Sequence, residues 1–230
     1  MFLIYQLLLT LVILISPFII IVRILKGKED IKRFKEKFCL FSKKRHRGKI
    51  LWFHGSSVGE IMSAIPLINK YDKVNYFSQI LVTSSTLSSS KILQKYKFKK
   101  VTHQYFPIDH IFFSNFFINY WKPNISIFLE SEIWPSMYRS IKLKKIPLIL
   151  LNARITNKTF KRWNKFKEIS AKIFAKIDMA FTQNEETSQF LKKLGVKRIK
   201  YIGNLKYFED KKIKNDEIKG KLKSKFEKYK

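Results

Sequence analysis

The amino-acid sequence predicts an α/β protein with a Rossmann-like, mostly parallel β-sheet, preceded by one transmembrane helix. Three observations support this fold class. After Lys49, seven short apolar segments alternate with helix-like segments, which is typical of a parallel sheet covered by helices on both faces. No charged residue occurs from Phe2 to Val22. A Gly/Ser-rich turn at residues 54–60 joins the first strand to a helix, and α/β proteins place their chemistry at such turns.

The run from Phe2 to Val22 has the length of a membrane-spanning helix, which needs roughly 20 apolar residues. Positive charge follows the run instead of preceding it, which favours a retained signal anchor over a cleaved signal peptide. Residues 26–49 contain 11 Lys or Arg and 3 acidic residues. The positive-inside tendency therefore places the rest of the chain in the cytoplasm, with this segment on anionic headgroups. An interfacial or core helix is the alternative.

The whole chain is strongly basic, with 47 Lys or Arg, 17 acidic residues and a net charge of +30 over 230 residues. An anionic partner such as a membrane, a nucleic acid or a phosphorylated substrate is therefore plausible, although a general compositional bias explains the charge equally well. The single cysteine, Cys39, excludes an intramolecular disulfide framework and indicates a reducing compartment.

The elements of the predicted domain follow one another in regular alternation. The predicted strands are Ile50–Phe53, Phe77–Thr83, Val101–Tyr105, Ile125–Leu129, Leu148–Leu151, Met179–Thr182 and Arg198–Ile202. The predicted helices are Ile61–Lys70, Leu87–Tyr96, Ile111–Trp121, Trp134–Leu143, Phe160–Lys176 and Glu185–Leu194. The expected organisation is an anchor (residues 1–25), a basic juxtamembrane segment (26–49), a Rossmann-like domain (50–210) and a basic tail or linker (211–230).

Polar residues follow each predicted strand and are therefore expected at one carboxyl edge of the sheet. Among them, Glu60 has two interpretations. Ser57-x-x-Glu60 is a capping box, in which Glu60 only stabilises the start of a helix. Alternatively, the helix dipole keeps this carboxylate ionised, so that it acts as a general base, with Gly55 and Gly59 allowing a substrate close to the backbone.

Glu130 and Glu132 lie two residues apart at the end of the fourth predicted strand. Such a pair can bind a metal or stabilise a cationic centre, while Glu132 alone can favour the start of the next helix. The four histidines have no zinc-ligand spacing, and the glycine patterns of nicotinamide and P-loop sites are absent from the sequence.

Several of these segments, taken together, resemble one family. They are Trp52-Phe53-His54-Gly55-Ser56-Ser57-Val58-Gly59-Glu60, Phe106-Pro107-Ile108-Asp109, Glu130-Ser131-Glu132-Ile133-Trp134-Pro135, Leu151-Asn152-Ala153-Arg154-Ile155-Thr156 and Gly203-Asn204-Leu205-Lys206, with the anchor and residues 23–29 in front. Their order and spacing resemble the 3-deoxy-D-manno-octulosonic acid (Kdo) transferases of lipopolysaccharide synthesis.

The resemblance implies an inverting glycosyltransferase of the GT-B type, which moves Kdo from CMP-Kdo to a lipid A precursor without a cofactor or metal site. It implies that Glu60 is the general base, that Glu130 stabilises positive charge on the sugar and that Lys206 neutralises the leaving phosphate. The other residues assigned to substrate binding are His54, Ser56, Ser57, Gly59, Glu132, Arg154 and Asn204.

The resemblance also implies a single-pass enzyme of the inner membrane with its globular part in the cytoplasm. GT-B enzymes have two Rossmann domains, and this chain matches the N-terminal, acceptor-binding half, so a separate C-terminal half is an expected partner. The alternative function is a non-catalytic, membrane-tethered module that binds anionic glycolipid. Nucleic-acid binding is disfavoured, because the anchor is present and no familiar nucleic-acid motif occurs.

Overall fold

The computed structural model describes residues 2–205, and seven parallel strands form one sheet. The strands are β1 (Ile50–His54), β2 (Gln79–Ser84), β3 (Val101–Tyr105), β4 (Ile125–Leu129), β5 (Leu148–Ala153), β6 (Met179–Thr182) and β7 (Ile199–Tyr201). Their order is β3-β2-β1-β4-β5-β6-β7, and every pairing is parallel. The predicted parallel α/β sheet is confirmed.

Eight α-helices and one short 3₁₀ helix (Phe34–Phe38) are present in residues 2–205. The α-helices are α1 (Phe2–Leu25), α2 (Val58–Lys73), α3 (Leu87–Gln94), α4 (Ile111–Trp121), α5 (Pro135–Leu143), α6 (Asn157–Asn164), α7 (Lys167–Phe174) and α8 (Glu185–Leu194). Side chains alternate between the two sheet faces along each strand. Thus Leu51 and Phe53 pack with α2 and α3, whereas Ile50 and Trp52 pack with the helices on the opposite face.

The order of the strands places a crevice beside β1. The chain runs outward from β1 to β3 and then returns to β4 on the other side of β1. The loops after β1 and β4 therefore leave the sheet in different directions, and ligands bind at such a switch point in open α/β sheets. These two loops carry residues 55–57 and 130–134, so the fold brings together the segments that contain Glu60 and Glu132.

The prediction of one helix from Phe160 to Lys176 is wrong, because α6 and α7 are separate helices. Phe166 leaves the helical conformation with φ −118° and ψ 57°. The resulting change of direction lets the Trp163 ring pack edge-on against Phe174, with 5.3 Å between ring centroids.

Helix α1 confirms the predicted N-terminal apolar helix. It has a mean hydropathy of 2.8, and it is the only helix within residues 2–205 that is long and apolar enough to be a candidate span. The basic segment that follows packs against the edge strand β3. There Arg33 pairs with Glu36 at 2.8 Å, and the Glu36 carboxylate accepts the Tyr105 N–H at 2.9 Å. The predicted domain boundaries stay predictions, and the tail after residue 205 lies outside the described residues.

Candidate functional site

Glu60 is held over the loop between β1 and α2. Ser57 is the N-cap of α2, and both hydrogen bonds of a capping box are present. Glu60 Oε1 accepts the Ser57 hydroxyl at 2.9 Å, and Oε2 accepts the Ser56 N–H at 2.7 Å. The capping interpretation of Glu60 is therefore confirmed. It does not exclude catalysis, because the side chain is only partly buried at the mouth of the crevice.

Gly55 allows this loop to approach its neighbours closely. A Cβ atom at this position would lie 2.9 Å from Leu129 Cδ1 and 3.0 Å from Glu60 Cβ. Real Cβ contacts are longer than this, so a larger residue would displace Glu60 or the end of β4.

Ser56 connects the two glutamates across the crevice. Its backbone N–H donates to Glu60, while its hydroxyl donates to Glu132. Glu132 also accepts hydrogen bonds from His54 Nε2 at 3.1 Å and from Trp134 Nε1 at 2.8 Å. One serine therefore fixes both carboxylates relative to each other.

The environments of these two carboxylates push their pKa values apart. Burial raises the pKa of Glu60, the nearby charge of Glu132 raises it further, and the bonds from Ser57 and Ser56 offset this only in part. Burial alone would also raise the pKa of Glu132, but the hydrogen bond and charge of His54, with further bonds from Ser56 and Trp134, lower it overall. Such separation is typical of a site in which one carboxylate stays ionised and the other exchanges a proton.

We expect the Glu132→Gln variant to shift the acidic limb of the pH–rate profile to lower pH. If Glu60 is the general base that the family resemblance implies, it must be deprotonated to act, so the rate of the expected transfer rises with pH through the raised pKa of Glu60. Removing the negative charge of Glu132 removes one cause of that raised pKa. The measurement is kcat/KM for transfer as a function of pH. Glu185→Gln, on the exposed first turn of α8, is the control, and an unmoved limb in Glu132→Gln would contradict this coupling.

Glu130 stands at the end of β4 in a strained backbone conformation. Its φ is +51°, in the left-handed region that non-glycine residues seldom adopt. Its N–H donates to the Leu151 carbonyl at 2.9 Å, and its carbonyl accepts the Arg154 N–H at 3.3 Å. Because this turn is tied to the end of β5, Glu130 and Arg154 lie on the same edge. Strain of this kind occurs often at functional sites.

Asn152 links the loop after β5 to the end of the described chain. It is buried, its φ is +55°, and its Oδ1 accepts the Leu205 N–H at 3.1 Å. The neighbouring residue Asn204, which is partly buried, is thereby brought to the same rim. Lys206, the predicted leaving-group residue, lies outside the described residues.

The remaining predicted binding residues differ in accessibility. Ser57, Gly59 and Arg154 are exposed at the rim. His54 is fully buried, with Nδ1 2.9 Å from Thr83 Oγ1, Nε2 on Glu132 and its ring stacked 3.8 Å from Phe106. These contacts favour a role in positioning Glu132. Direct substrate contact by any of these residues stays a prediction.

Asp109 is a further residue that connects the site to the rest of the fold, and the sequence analysis assigned it no role. Its carboxylate accepts the N–H groups of Ser136 at 3.0 Å and Met137 at 2.7 Å, at the start of α5, and the Tyr5 hydroxyl at 2.7 Å. Burial raises its pKa to about 6. The only sequence signal for this role was the position of Asp109 after β3, in one of the segments that resemble the family.

Within residues 2–205, no group of three or more His, Cys, Asp or Glu side chains is placed to hold a metal ion. Glu60 and Glu132 are instead linked through Ser56, a hydrogen-bond donor.

The parallel sheet and its polar switch point define an α/β domain of the GT-B-like kind. The structure of a UDP-GlcNAc 2-epimerase from Neisseria meningitidis bound to UDP-GlcNAc is similar to it, with a TM-score of 0.53. That similarity covers 78% of this chain and 54% of the epimerase at 14% identity, so it concerns the fold alone.

The sequence comparisons identify the family. The profile of the family described as 3-deoxy-D-manno-octulosonic-acid transferase (kdotransferase) matches residues 32–209. The transferase of that name from Rickettsia bellii (strain RML369-C) is 39% identical over 199 residues, which are 86% of this chain and 47% of the relative. The one from Rickettsia prowazekii (strain Madrid E) is 32% identical, over 89% of this chain and 53% of the relative.

The chain therefore belongs to the 3-deoxy-D-manno-octulosonic acid transferase family, as the motifs indicated. It spans about half the length of the curated relatives it matches.

Proposed function

We propose that the crevice between β1 and β4 binds the acceptor in a glycosyl transfer that moves Kdo from CMP-Kdo to a lipid A precursor. The observation that supports this most strongly is the placement of Glu60. Its carboxylate is fixed over the switch point by Ser56 and Ser57, and burial and Glu132 raise its pKa. A carboxylate at a crevice with a raised pKa is suited to take a proton at neutral pH.

In the proposed reaction, the acceptor hydroxyl oxygen attacks the anomeric carbon of Kdo as Glu60 takes its proton. The bond between that carbon and the phosphate oxygen breaks, and CMP leaves with the electron pair, so the configuration inverts. Glu130 stabilises the positive charge that develops on the sugar, and Lys206 neutralises the leaving phosphate. As the family resemblance implies, these steps use side chains without a cofactor.

Arg154, exposed beside Glu130, is assigned to the anionic groups of the acceptor, since guanidinium binds phosphate through paired charge-assisted hydrogen bonds.

A lipid acceptor stays in a membrane, so the proposal also places this domain at the cytoplasmic face of the inner membrane. Helix α1 and the basic segment after it support such a location. We propose that the remaining half of the relatives' length corresponds to a second domain that completes the CMP-Kdo site.

Transfer on membranes that contain no other Kdo transferase tests the proposal. Membranes carrying this chain, alone or with the C-terminal half of a relative, are supplied with CMP-Kdo and a lipid A precursor. The product is detected by mass spectrometry. We expect Kdo-bearing product when both halves are present. Binding of the precursor without product under either condition would overturn the proposal in favour of a non-catalytic glycolipid-binding module.

A further inference from the structure

One stripe of helix α1 is less exposed to solvent than its other faces, and Gln6, Ser16 and Ile20 in this stripe are buried. The covered or partly covered positions recur every three or four residues, which is one stripe of a helix. They are Phe2, Tyr5, Gln6, Leu9, Ile13, Ser16, Ile20, Arg23 and Ile24. On the other faces, 13 large apolar side chains are exposed. The stripe and the exposed faces therefore have different surroundings, and the contacts at the two ends of the helix show what the stripe faces.

Polar contacts hold the N-terminal end of α1 to the domain. The Gln6 amide donates to Ser136 Oγ at 2.8 Å and accepts the Ile111 N–H at 2.9 Å. The Tyr5 hydroxyl donates to Asp109 at 2.7 Å. Gln6 is only 9% exposed, so these bonds satisfy an amide that would be costly to place in hydrocarbon.

The C-terminal end of α1 is connected, through two ion pairs, to the loop after β3 that contains Asp109. Arg23 pairs with Glu29 at 2.8 Å, and Glu29 pairs with Lys37 at 2.6 Å. The Lys37 carbonyl accepts the N–H of Ile108, which is the residue before Asp109. Both ends of the helix are therefore connected to the segment that follows β3.

These contacts are incompatible with a spanning orientation. Tyr5 and Arg23 are 18 residues apart, which is about 27 Å along a helix axis. In a helix that crosses a hydrocarbon core of about 30 Å, they would lie near opposite membrane faces. A domain on one face could not then hold both ends.

We propose that α1 lies in the plane of the cytoplasmic leaflet, docked on the domain as a monotopic anchor, with the anionic lipids of that leaflet as its partner. This topology replaces the single-pass span that hydropathy indicates. The domain takes the place of the polar face that an in-plane helix otherwise needs, because it covers the stripe.

Charge complementarity at the helix supports an anionic lipid surface as the partner. A cavity of about 850 Å³ lies between α1, α5 and α7. Its walls are mainly apolar, and Arg139, Lys172 and Lys176 line it with one acidic residue, Glu168. Arg139 also lies over the Phe2 ring, 4.8 Å from its centroid. Cationic side chains beside an apolar helix can bind anionic lipid headgroups while the apolar side chains of the helix enter the leaflet.

Asp109 accepts hydrogen bonds from Tyr5 of α1 and from the Ser136 N–H at the start of α5, and Gln6 of α1 donates to the Ser136 hydroxyl. Since α5 directly follows the loop that carries Glu130 and Glu132, the docking of α1 also positions the candidate site. The inference itself does not depend on the proposed reaction. Its test uses labelling alone, so its failure is distinguishable from a failure of Kdo transfer.

The test uses the full chain in native membranes with Cys39 replaced by Ala. Gln6→Cys is combined with Ser136→Cys and treated with dibromobimane, which joins only neighbouring thiols. Leu14→Cys with Ser136→Cys is the matched control, because Leu14 is exposed and about 12 Å further along the helix. We expect a cross-link in the first pair and none in the control.

A second measurement locates the N-terminus itself. A single cysteine in an extension before Met1 is exposed to a membrane-impermeant maleimide in right-side-out and in inverted vesicles. We expect labelling in inverted vesicles only, together with an exposed domain cysteine such as Lys158→Cys. Absence of the Gln6–Ser136 cross-link, or labelling of the extension from the outer face, would overturn the in-plane topology.

Discussion

Replacement of Glu60 by Gln is expected to lower the rate of the proposed Kdo transfer by roughly 10²–10⁴-fold, the usual contribution of a positioned general base. Gln retains the shape of the side chain, its amide oxygen can accept the N–H groups of Ser56 and Ser57 as Oε2 of Glu60 does, and Gln serves in a capping box as well as Glu does. The start of α2 should therefore remain intact while proton transfer is lost. Initial transfer rates at saturating acceptor measure this effect.

A matched control variant removes a helix cap at a position outside the candidate site. Asn184 is the N-cap of α8 and accepts the Thr187 N–H at 2.8 Å. Asn184→Ala should cost about 0.5–2 kcal/mol of unfolding free energy and leave transfer near normal. If Glu60→Gln transferred Kdo as fast as Asn184→Ala does, Glu60 would be a cap and no catalyst.

The Trp52→Ala variant is expected to lose about 3–5 kcal/mol of unfolding free energy, as is usual for the truncation of a fully buried aromatic residue. Trp52 is inaccessible to solvent and packs against Phe117 and Phe128, each with 5.1 Å between ring centroids. Its indole N–H also donates to Thr83 Oγ1, the atom that His54 Nδ1 contacts. The substitution therefore creates a cavity and loosens the support of His54 and Glu132.

Chemical denaturation of the domain measures this loss. Leu143→Ala is the control, since Leu143 is 64% exposed on the last turn of α5, and such a surface change stays within about 0.5 kcal/mol. Equal stability of the Trp52 and Leu143 variants would contradict the placement of Trp52 at the centre of the core.

Most of the sheet was predictable because each strand is a short apolar run that ends in a polar turn. β3, β4 and β6 have the predicted limits, β1 and β5 end one or two residues later than predicted, and β2 and β7 differ by one or two residues at both ends. The start of α2 at Val58, three residues before the predicted position, follows from the Ser57 cap. The break near Phe166 was not predictable, because no proline or glycine marks it in the sequence and the ring contact of Trp163 with Phe174 that accompanies it forms only in the folded chain.

The candidate site was predictable at Glu60, Glu130 and Glu132, since carboxylates after parallel strands gather at one edge. The link that Ser56 makes between two glutamates was not predictable. It depends on a hydroxyl 76 residues away from its partner. The contacts of Tyr5 and Gln6 with the domain were not predictable either, because their partners are more than 100 residues away in the sequence. An apolar helix is recognised from its composition, which does not show which residues contact it.

Affinity labelling at the crevice is the sharpest test of whether Glu60 contacts the attacking hydroxyl of the acceptor. An acceptor analogue with an epoxide in place of the attacking hydroxyl is incubated with membranes, and the modified peptide is sequenced by mass spectrometry. If Glu60 faces that hydroxyl, its carboxylate opens the epoxide and forms an ester, and the natural acceptor protects it. Labelling of Glu132 or another carboxylate, with Glu60 unmodified, would show that Glu60 is not the base.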